Sequence, residues 1–146
     1  MPEPRAMNIA IFLDEVMPIN GPLMLVPQSQ TAGDLKASHD LETTSYPLWT
    51  LDEETVTRLV KEGGIVAPTG KAGGLLMFHG NLVHGSAGNI TPYPRKIVYL
   101  TLCAVSNHIT KFTRPEWIAH RDFAPIEPVP DDALREYARA HRVAAE

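Results

Sequence analysis

Between Leu82 and Arg95 the chain reads LVHGSAGNITPYPR, a histidine and an arginine separated by a polar, turn-rich loop and set between two apolar, strand-like runs. Neutral imidazole is the side chain that most often binds a metal. A guanidinium eleven positions later, where a new strand begins, suits bidentate capture of a carboxylate. One residue can hold a metal while the other anchors an acid. A lone loop histidine is more often a surface or hydrogen-bonded residue; it is the pairing of His84 with Arg95 that reads as half of a metal site.

Both residues need elements on either side to hold them. Met7 to Val16 is rich in apolar residues and stops before Pro18, with Asn20-Gly21 marking a turn, so it is expected to be a strand. Leu23 to Val26 is a second, short strand closed by Pro27. Gln28 to Thr50 is polar and without a sustained period, which predicts a long loop acting as a lid or facing the substrate. Asp52 starts a helix as N-cap, Glu53 and Glu54 fill its first turn, Val56, Leu59 and Val60 form its apolar face, and Gly63-Gly64 ends it.

Ile65 to Ala67 and Leu75 to Phe78 read as short strands separated by turn signals. Ile97 to Val105 is apolar on both faces, as expected of a strand sandwiched in a core. Its odd positions, from Arg95 to Cys103, carry the mixed chemistry and are expected to line the pocket. Arg114 to Ala119 reads as a short helix, Pro125 to Pro130 as a proline-broken linker, and Asp131 to His141 as a final helix. Short strands with Gly and Pro turns and few helices predict a mainly β sandwich or jelly roll.

At 146 residues the chain has the size of one domain, 1–146, with 123–146 as its C-terminal linker and helix. The net charge of −4 and the scattered Lys and Arg residues argue against a nucleic-acid partner. The longest apolar run is far too short to span a bilayer and the first residues hold no signal core, so a soluble, cytoplasmic protein without a membrane partner is expected. The single cysteine, Cys103, excludes an internal disulfide or a multi-cysteine metal site and is expected in the core. The sequence does not set an oligomeric state.

Three segments carry a resemblance to a known family: Asn20-Gly21-Pro22-Leu23-Met24-Leu25-Val26-Pro27, then Glu62 to Lys71, and most specifically His84 to Arg95 with its ending Asn89-Ile90-Thr91-Pro92-Tyr93-Pro94-Arg95. With Arg114-Pro115-Glu116-Trp117-Ile118 they extend over most of the chain. The sequence resembles the phytanoyl-CoA dioxygenase family of iron(II)- and 2-oxoglutarate-dependent oxygenases, and within it the ectoine hydroxylases. The resemblance implies a double-stranded β-helix, a jelly roll, with helices on one outer face. Only about five strands are visible against the eight of such a fold, so the barrel is expected to be incomplete at its N-terminus.

The resemblance also implies the site. Fe(II), 2-oxoglutarate and O2 are the expected cofactor and cosubstrates, with the metal held by two histidines and a carboxylate. His84 corresponds to the distal histidine ligand. Ser86 and Arg95 correspond to residues that bind the far carboxylate of 2-oxoglutarate, and Phe78 and Tyr99 to aromatic residues flanking the substrate. The family's proximal His-x-Asp pair would lie before Met7, where only six residues stand and neither a histidine nor an aspartate is among them.

Internal substitutes are weak. His39 and Asp40 are adjacent and would face opposite ways on a strand, and His120-Arg121-Asp122 has the spacing but the wrong order. His79 is expected in a structural hydrogen bond. The chain is therefore expected to be the C-terminal portion of a hydroxylase acting on an unactivated C–H bond of a small molecule: an ectoine-like solute, an amino acid or an acyl-CoA. Pro27-Gln28-Ser29-Gln30 departs from the family's usual Pro-Gly-Ser-His, and Ile97 stands where ectoine hydroxylases often have Asn. Two rival readings are a non-catalytic jelly-roll binding module and a cupin-like enzyme.

Overall fold

The computed structural model describes residues 2–40, 48–112, 116 and 121–141. The described part is mainly β, with two α-helices. It divides into two units, Met1–Lys111 and Phe112–Glu146.

In the first unit the central strand is β1, Ala6–Phe12, shorter than expected because the chain turns away at Leu13; Val16 keeps only a single bridge, to Gly70. It is flanked by β5, Leu75–His79, and β7, Ile97–Cys103, in an antiparallel sheet of order β5-β1-β7. In register, Ala10 lies opposite Leu76 and Tyr99, and Asn8 opposite Phe78 and Thr101. Cross-strand partners share a face, so Phe78, Leu76, Ile97, Tyr99 and Thr101 stand on one side of this sheet. The odd positions of β7 therefore do form one face with Phe78.

A second, smaller sheet pairs β2, Met24–Leu25, with β6, His84–Gly85, and Leu25 also bridges to Val66. That bridge is all that forms where a strand was expected over 65–67. The two sheets meet through Leu23 and Leu25 packed on Phe78, with Leu76 and Leu82 alongside. Leu76 also touches a neighbouring cluster of Ala10, Phe12 and Val16. The small second sheet thus covers only part of the larger one.

The extent of that cover corrects two expectations. β7 is not sandwiched: beyond a half-buried Ile97, every residue to Cys103 is exposed, and the Cys103 thiol is free and exposed instead of lying in a core. The run of apolar residues on both faces was correctly a strand signal, but burial depends on what lies above it, and the two-residue strands β2 and β6 do not reach that far.

The segment read as one long loop contains more structure. After a turn of 3-10 helix at Ser29–Thr31, β3, Ala37–Asp40, pairs antiparallel with β4, Leu48–Leu51. Ser38 Oγ lies 3.2 Å from Thr50 Oγ1 across this pair, a polar cross-strand contact that hydrophobic periodicity does not reveal.

Helix α1, Glu53–Gly63, forms as expected. Asp52 caps it by accepting the Thr55 N–H at 2.8 Å, and Leu59 is its buried residue. Gly64, the C-cap, has φ +74°, a value that favours glycine, and a side chain on Gly63 would collide with the Pro27 backbone. The helix end is thereby seated against the segment that follows β2.

The second unit contains α2, Ala133–Ala140, where the final helix was expected. Phe112 stacks on Phe123, and Arg121 lies over the Phe112 ring. The expected short helix at 114–119 lies outside the described residues apart from Glu116, as does His120.

Candidate functional site

His84 opens β6 opposite Leu25. The entry to this strand is fixed by a neutral clasp: the buried Ser29 hydroxyl donates to Val26 O at 2.7 Å and accepts the Val83 N–H at 2.8 Å, while Val26 N donates to Val83 O at 2.9 Å. The His84 ring is exposed and its Nδ1 lies 2.7 Å from Leu82 O. A carbonyl can only accept, so Nδ1 carries the proton in the neutral ring and the Nε2 lone pair is directed away from the backbone. Histidines that ligate metals are commonly held in this way, with the other nitrogen on a carbonyl or carboxylate. The buried Phe78 ring meets it edge-on, with centroids 5.1 Å apart.

The loop from Ser86 to Pro94 is held largely by its own side chains. Asn89 Oδ1 accepts the Thr91 N–H at 2.9 Å and the Thr91 hydroxyl at 2.8 Å, and Asn89 Nδ2 donates to Tyr93 O at 2.7 Å. Asx turns of this kind replace ladder hydrogen bonds with local ones. A second support comes from the turn at Asn20-Gly21. Gly21 has φ +75°, and a side chain there would meet Ala87 O at 2.7 Å, so the two backbones approach as closely as glycine allows.

Arg95 follows this loop, two residues before β7. It is half-buried, and its Nε is buried without a hydrogen-bond partner among the described residues. An unpaired buried donor is rare and costly. A carboxylate can pair with a guanidinium through Nε and a terminal nitrogen together. Ser86 is exposed at the other end of the loop. Tyr99 is 47% exposed and shares the sheet face of Phe78, with β1 between their strands. Phe78 itself belongs to the core cluster and touches His84, so it combines packing with a place at the site.

The other titratable candidates have different surroundings. His79 ends β5, and its Nδ1 accepts the Asn81 N–H at 3.1 Å, the structural role expected of it. Asp40 ends β3, in a separate sheet, and the side chain of His39 lies outside what is described. Among the described residues no group of three or more His, Cys, Asp or Glu side chains gathers around a point. Three supporting residues were not singled out from sequence as site components: Ser29, Asn20 and Asp14. Asn20-Gly21 was legible as a turn and as part of a family-like segment, and nothing in the sequence marked the asparagine side chain as fully buried.

The family model described as phytanoyl-CoA dioxygenase (PhyH) matches residues 1–97. The chain is 40% identical over 132 residues to an ectoine dioxygenase of Sphingopyxis alaskensis, covering 83% of this chain and 43% of that protein. It is 34% identical over 144 residues to an L-proline trans-4-hydroxylase of Streptomyces griseoviridis, covering 92% and 54%. The crystal structure of S. alaskensis EctD with bound Fe superposes with a TM-score of 0.68 at 39% identity, over 86% of this chain and 42% of that one. The same enzyme with 2-oxoglutarate and 5-hydroxyectoine gives 0.67 at 40% identity, over 83% and 40%. The chain thus spans about half the length, or less, of these relatives.

Proposed function

Because the chain belongs to the phytanoyl-CoA dioxygenase family, we propose that it contributes the distal side of an iron(II)- and 2-oxoglutarate-dependent hydroxylase site on a jelly-roll framework. His84 binds the metal through Nε2. Arg95, with Ser86, holds the far carboxylate of 2-oxoglutarate, and Phe78 and Tyr99 border the substrate. The other metal ligands come from outside the described residues. The substrate is a small polar molecule, a cyclic or free amino acid or related solute, as the names of the ectoine and proline enzymes suggest.

The observation that carries this reading is the buried Nε of Arg95, which has no partner among the described residues and to which a dicarboxylate would supply an acceptor. The bound metal supplies the oxidative chemistry: one atom of O2 enters the substrate C–H bond, and the other enters succinate as 2-oxoglutarate loses CO2. The residues of this chain bind and orient. The Leu82 carbonyl fixes the ring of His84, the Phe78 edge limits its rotation, and Arg95 sets how far 2-oxoglutarate reaches towards the metal.

The test is equilibrium binding of 2-oxoglutarate to the full chain by titration calorimetry. Arg95→Ala is expected to weaken binding by about tenfold or more, the scale of one lost charge-assisted pair. Equal affinities for the two proteins refute the assignment.

A further inference from the structure

We propose that Asp14 and Asn20 are positioning residues that clamp the backbone on both sides of Arg95 and thereby set the affinity of the site for a dicarboxylate. The proposal rests on the cosubstrate role of Arg95 given above.

The need for a clamp follows from where Arg95 lies. The ladder between β1 and β7 begins at Phe12 and Ile97, and one further backbone bond, Leu13 N to Lys96 O at 2.9 Å, extends it by a step. Arg95 is beyond that last rung. Its side chain has high rotamer entropy, and an unfixed backbone would allow the guanidinium to sample many positions.

Two side chains from the connection between β1 and β2 take over from the ladder. Asp14 Oδ2 accepts the Lys96 N–H at 2.8 Å, immediately after Arg95. Asn20 Nδ2 donates to Pro94 O, immediately before it, in a longer contact of 3.4 Å. The peptide groups flanking Arg95 are therefore both held from the same connection. Asn20 is fully buried and also accepts the Met17 N–H at 2.8 Å and donates to Glu15 O at 2.9 Å. It shapes the turn that follows Asp14 while reaching Pro94. Gly21, the next residue, brings this turn against Ala87, so the connection supports the loop between His84 and Arg95 at two points.

The charge of Asp14 separates this role from a general electrostatic one. Near an incoming dicarboxylate, an aspartate is unfavourable by its charge. If only its field mattered, Asp14→Ala and Asp14→Asn would both tighten binding. If its acceptor matters, Asp14→Ala weakens binding and Asp14→Asn, which retains an acceptor oxygen, preserves it.

The experiment is calorimetric titration of 2-oxoglutarate into the full chain and its Asp14→Ala, Asp14→Asn, Arg95→Ala and Asp14→Ala/Arg95→Ala variants. Asp14 is half-buried, so these replacements spare the core that Asn20 occupies. Asp14→Ala is expected to bind about tenfold more weakly and Asp14→Asn to stay within about twofold of the parent. The double variant should be no weaker than Arg95→Ala, because the effect passes through the arginine. Unchanged affinity in Asp14→Ala, equal losses in both Asp14 variants, or additive losses in the double variant overturn the clamp. If the parent does not bind 2-oxoglutarate, the cosubstrate role of Arg95 fails and with it the stated effect on affinity. The backbone clamp is then read without ligand from the exchange of the Arg95 Nε–H by NMR: faster exchange in Asp14→Ala alone supports it, and equal rates in all three Asp14 forms overturn it.

Discussion

The Nδ1 atom of His84 is held 2.7 Å from the carbonyl oxygen of Leu82, two residues earlier in the chain. A neutral imidazole in that position has one tautomer open to it, with the proton on Nδ1 and the lone pair on Nε2. In mildly alkaline solution, long-range nitrogen shifts are expected to show an Nδ1–H ring, and addition of a divalent metal should perturb Nε2. A ring protonated at Nε2 contradicts the assignment of His84 as a ligand through that atom.

The buried Nε of Arg95 makes a second expectation independent of catalysis. An unsatisfied buried donor costs about 1–3 kcal/mol, and an apolar side chain of similar shape removes that cost. Arg95→Met should therefore leave the unliganded chain as stable as the parent or about 1 kcal/mol more stable. The same variant should lose the stabilisation that added 2-oxoglutarate gives the parent. Paired thermal melts with and without 2-oxoglutarate read both effects, and a marked loss of unliganded stability would mean that Nε has a partner after all.

How far these features could be read from the sequence depends on whether each is local. Asp52, its acidic first turn and Gly63-Gly64 specify α1 by short-range chemistry, and the helix forms between those signals. The loop from His84 to Arg95 is legible for a similar reason: its turn residues bond to one another, as Asn89 and Thr91 do. β3 and β4 were missed because Ala37-Ser38-His39-Asp40 has no apolar period, and their pairing includes a hydroxyl contact. Cys103 was placed in a core because apolar spacing reports a strand and says nothing of its cover. The buried amide of Asn107 depends on distant partners, tying Glu3 and Arg5 by three hydrogen bonds of 2.9–3.0 Å across about a hundred residues of chain, and the Asn20 amide adds to its local bonds a contact with the distant Pro94. No local pattern encodes such links.

Gln28 has φ 67°, the one positive value at a non-glycine position among the described residues. A left-handed backbone costs a side-chain-bearing residue about 1–2 kcal/mol, and glycine returns part of that gain through its freer unfolded chain. Gln28→Gly is expected to raise stability by about 0.5–1 kcal/mol. It would also restore the Pro-Gly-Ser order at this turn, where the Ser29 hydroxyl must reach Val83. Urea denaturation midpoints of the two proteins decide the point, and a destabilised glycine variant would show that the Gln28 side chain makes a contact worth more than the strain.

Asp52 predicts an acid dependence of helix α1. The Thr55 backbone N–H, and then the Thr55 hydroxyl, bond to its carboxylate and hold its pKa below the ordinary value, against a smaller opposing effect of desolvation. A folded-state pKa below the unfolded one means that the stabilisation is present above the ordinary carboxylate pKa and is lost as pH falls through the depressed value. Asp52→Ala should lower the melting temperature at neutral pH and flatten its decline in acid. Parallel acid titrations by far-UV circular dichroism compare the slopes; identical slopes would mean that the cap contributes nothing to the acid limb.

The outer face of the β5-β1-β7 sheet carries the last prediction. Its three cross-strand rows are His79, Met7 and Leu102; Met77, Ile9 and Leu100; and Leu75, Ile11 and Val98. Eight of these nine side chains are apolar and none is an acid, a lysine or an arginine. Leu75 and Met77 are 63% and 58% exposed, and Leu100 is 45% exposed. Contiguous apolar surface of this kind is unusual on a monomer. Among the described residues the outer edge of β7 has no strand partner, which adds to it, because β7 runs IVYLTLC without a proline or a charge to discourage pairing. In solution at micromolar concentration the chain is expected to self-associate, with the middle row at the centre of the contact. Leu100→Lys, which adds a charge to that row and keeps a long aliphatic stem, should move the midpoint of association to about tenfold higher concentration or beyond. Light scattering across a dilution series measures both proteins. A parent chain that stays monomeric throughout, or a lysine variant that associates as readily as the parent, would show that this face is not what brings copies together.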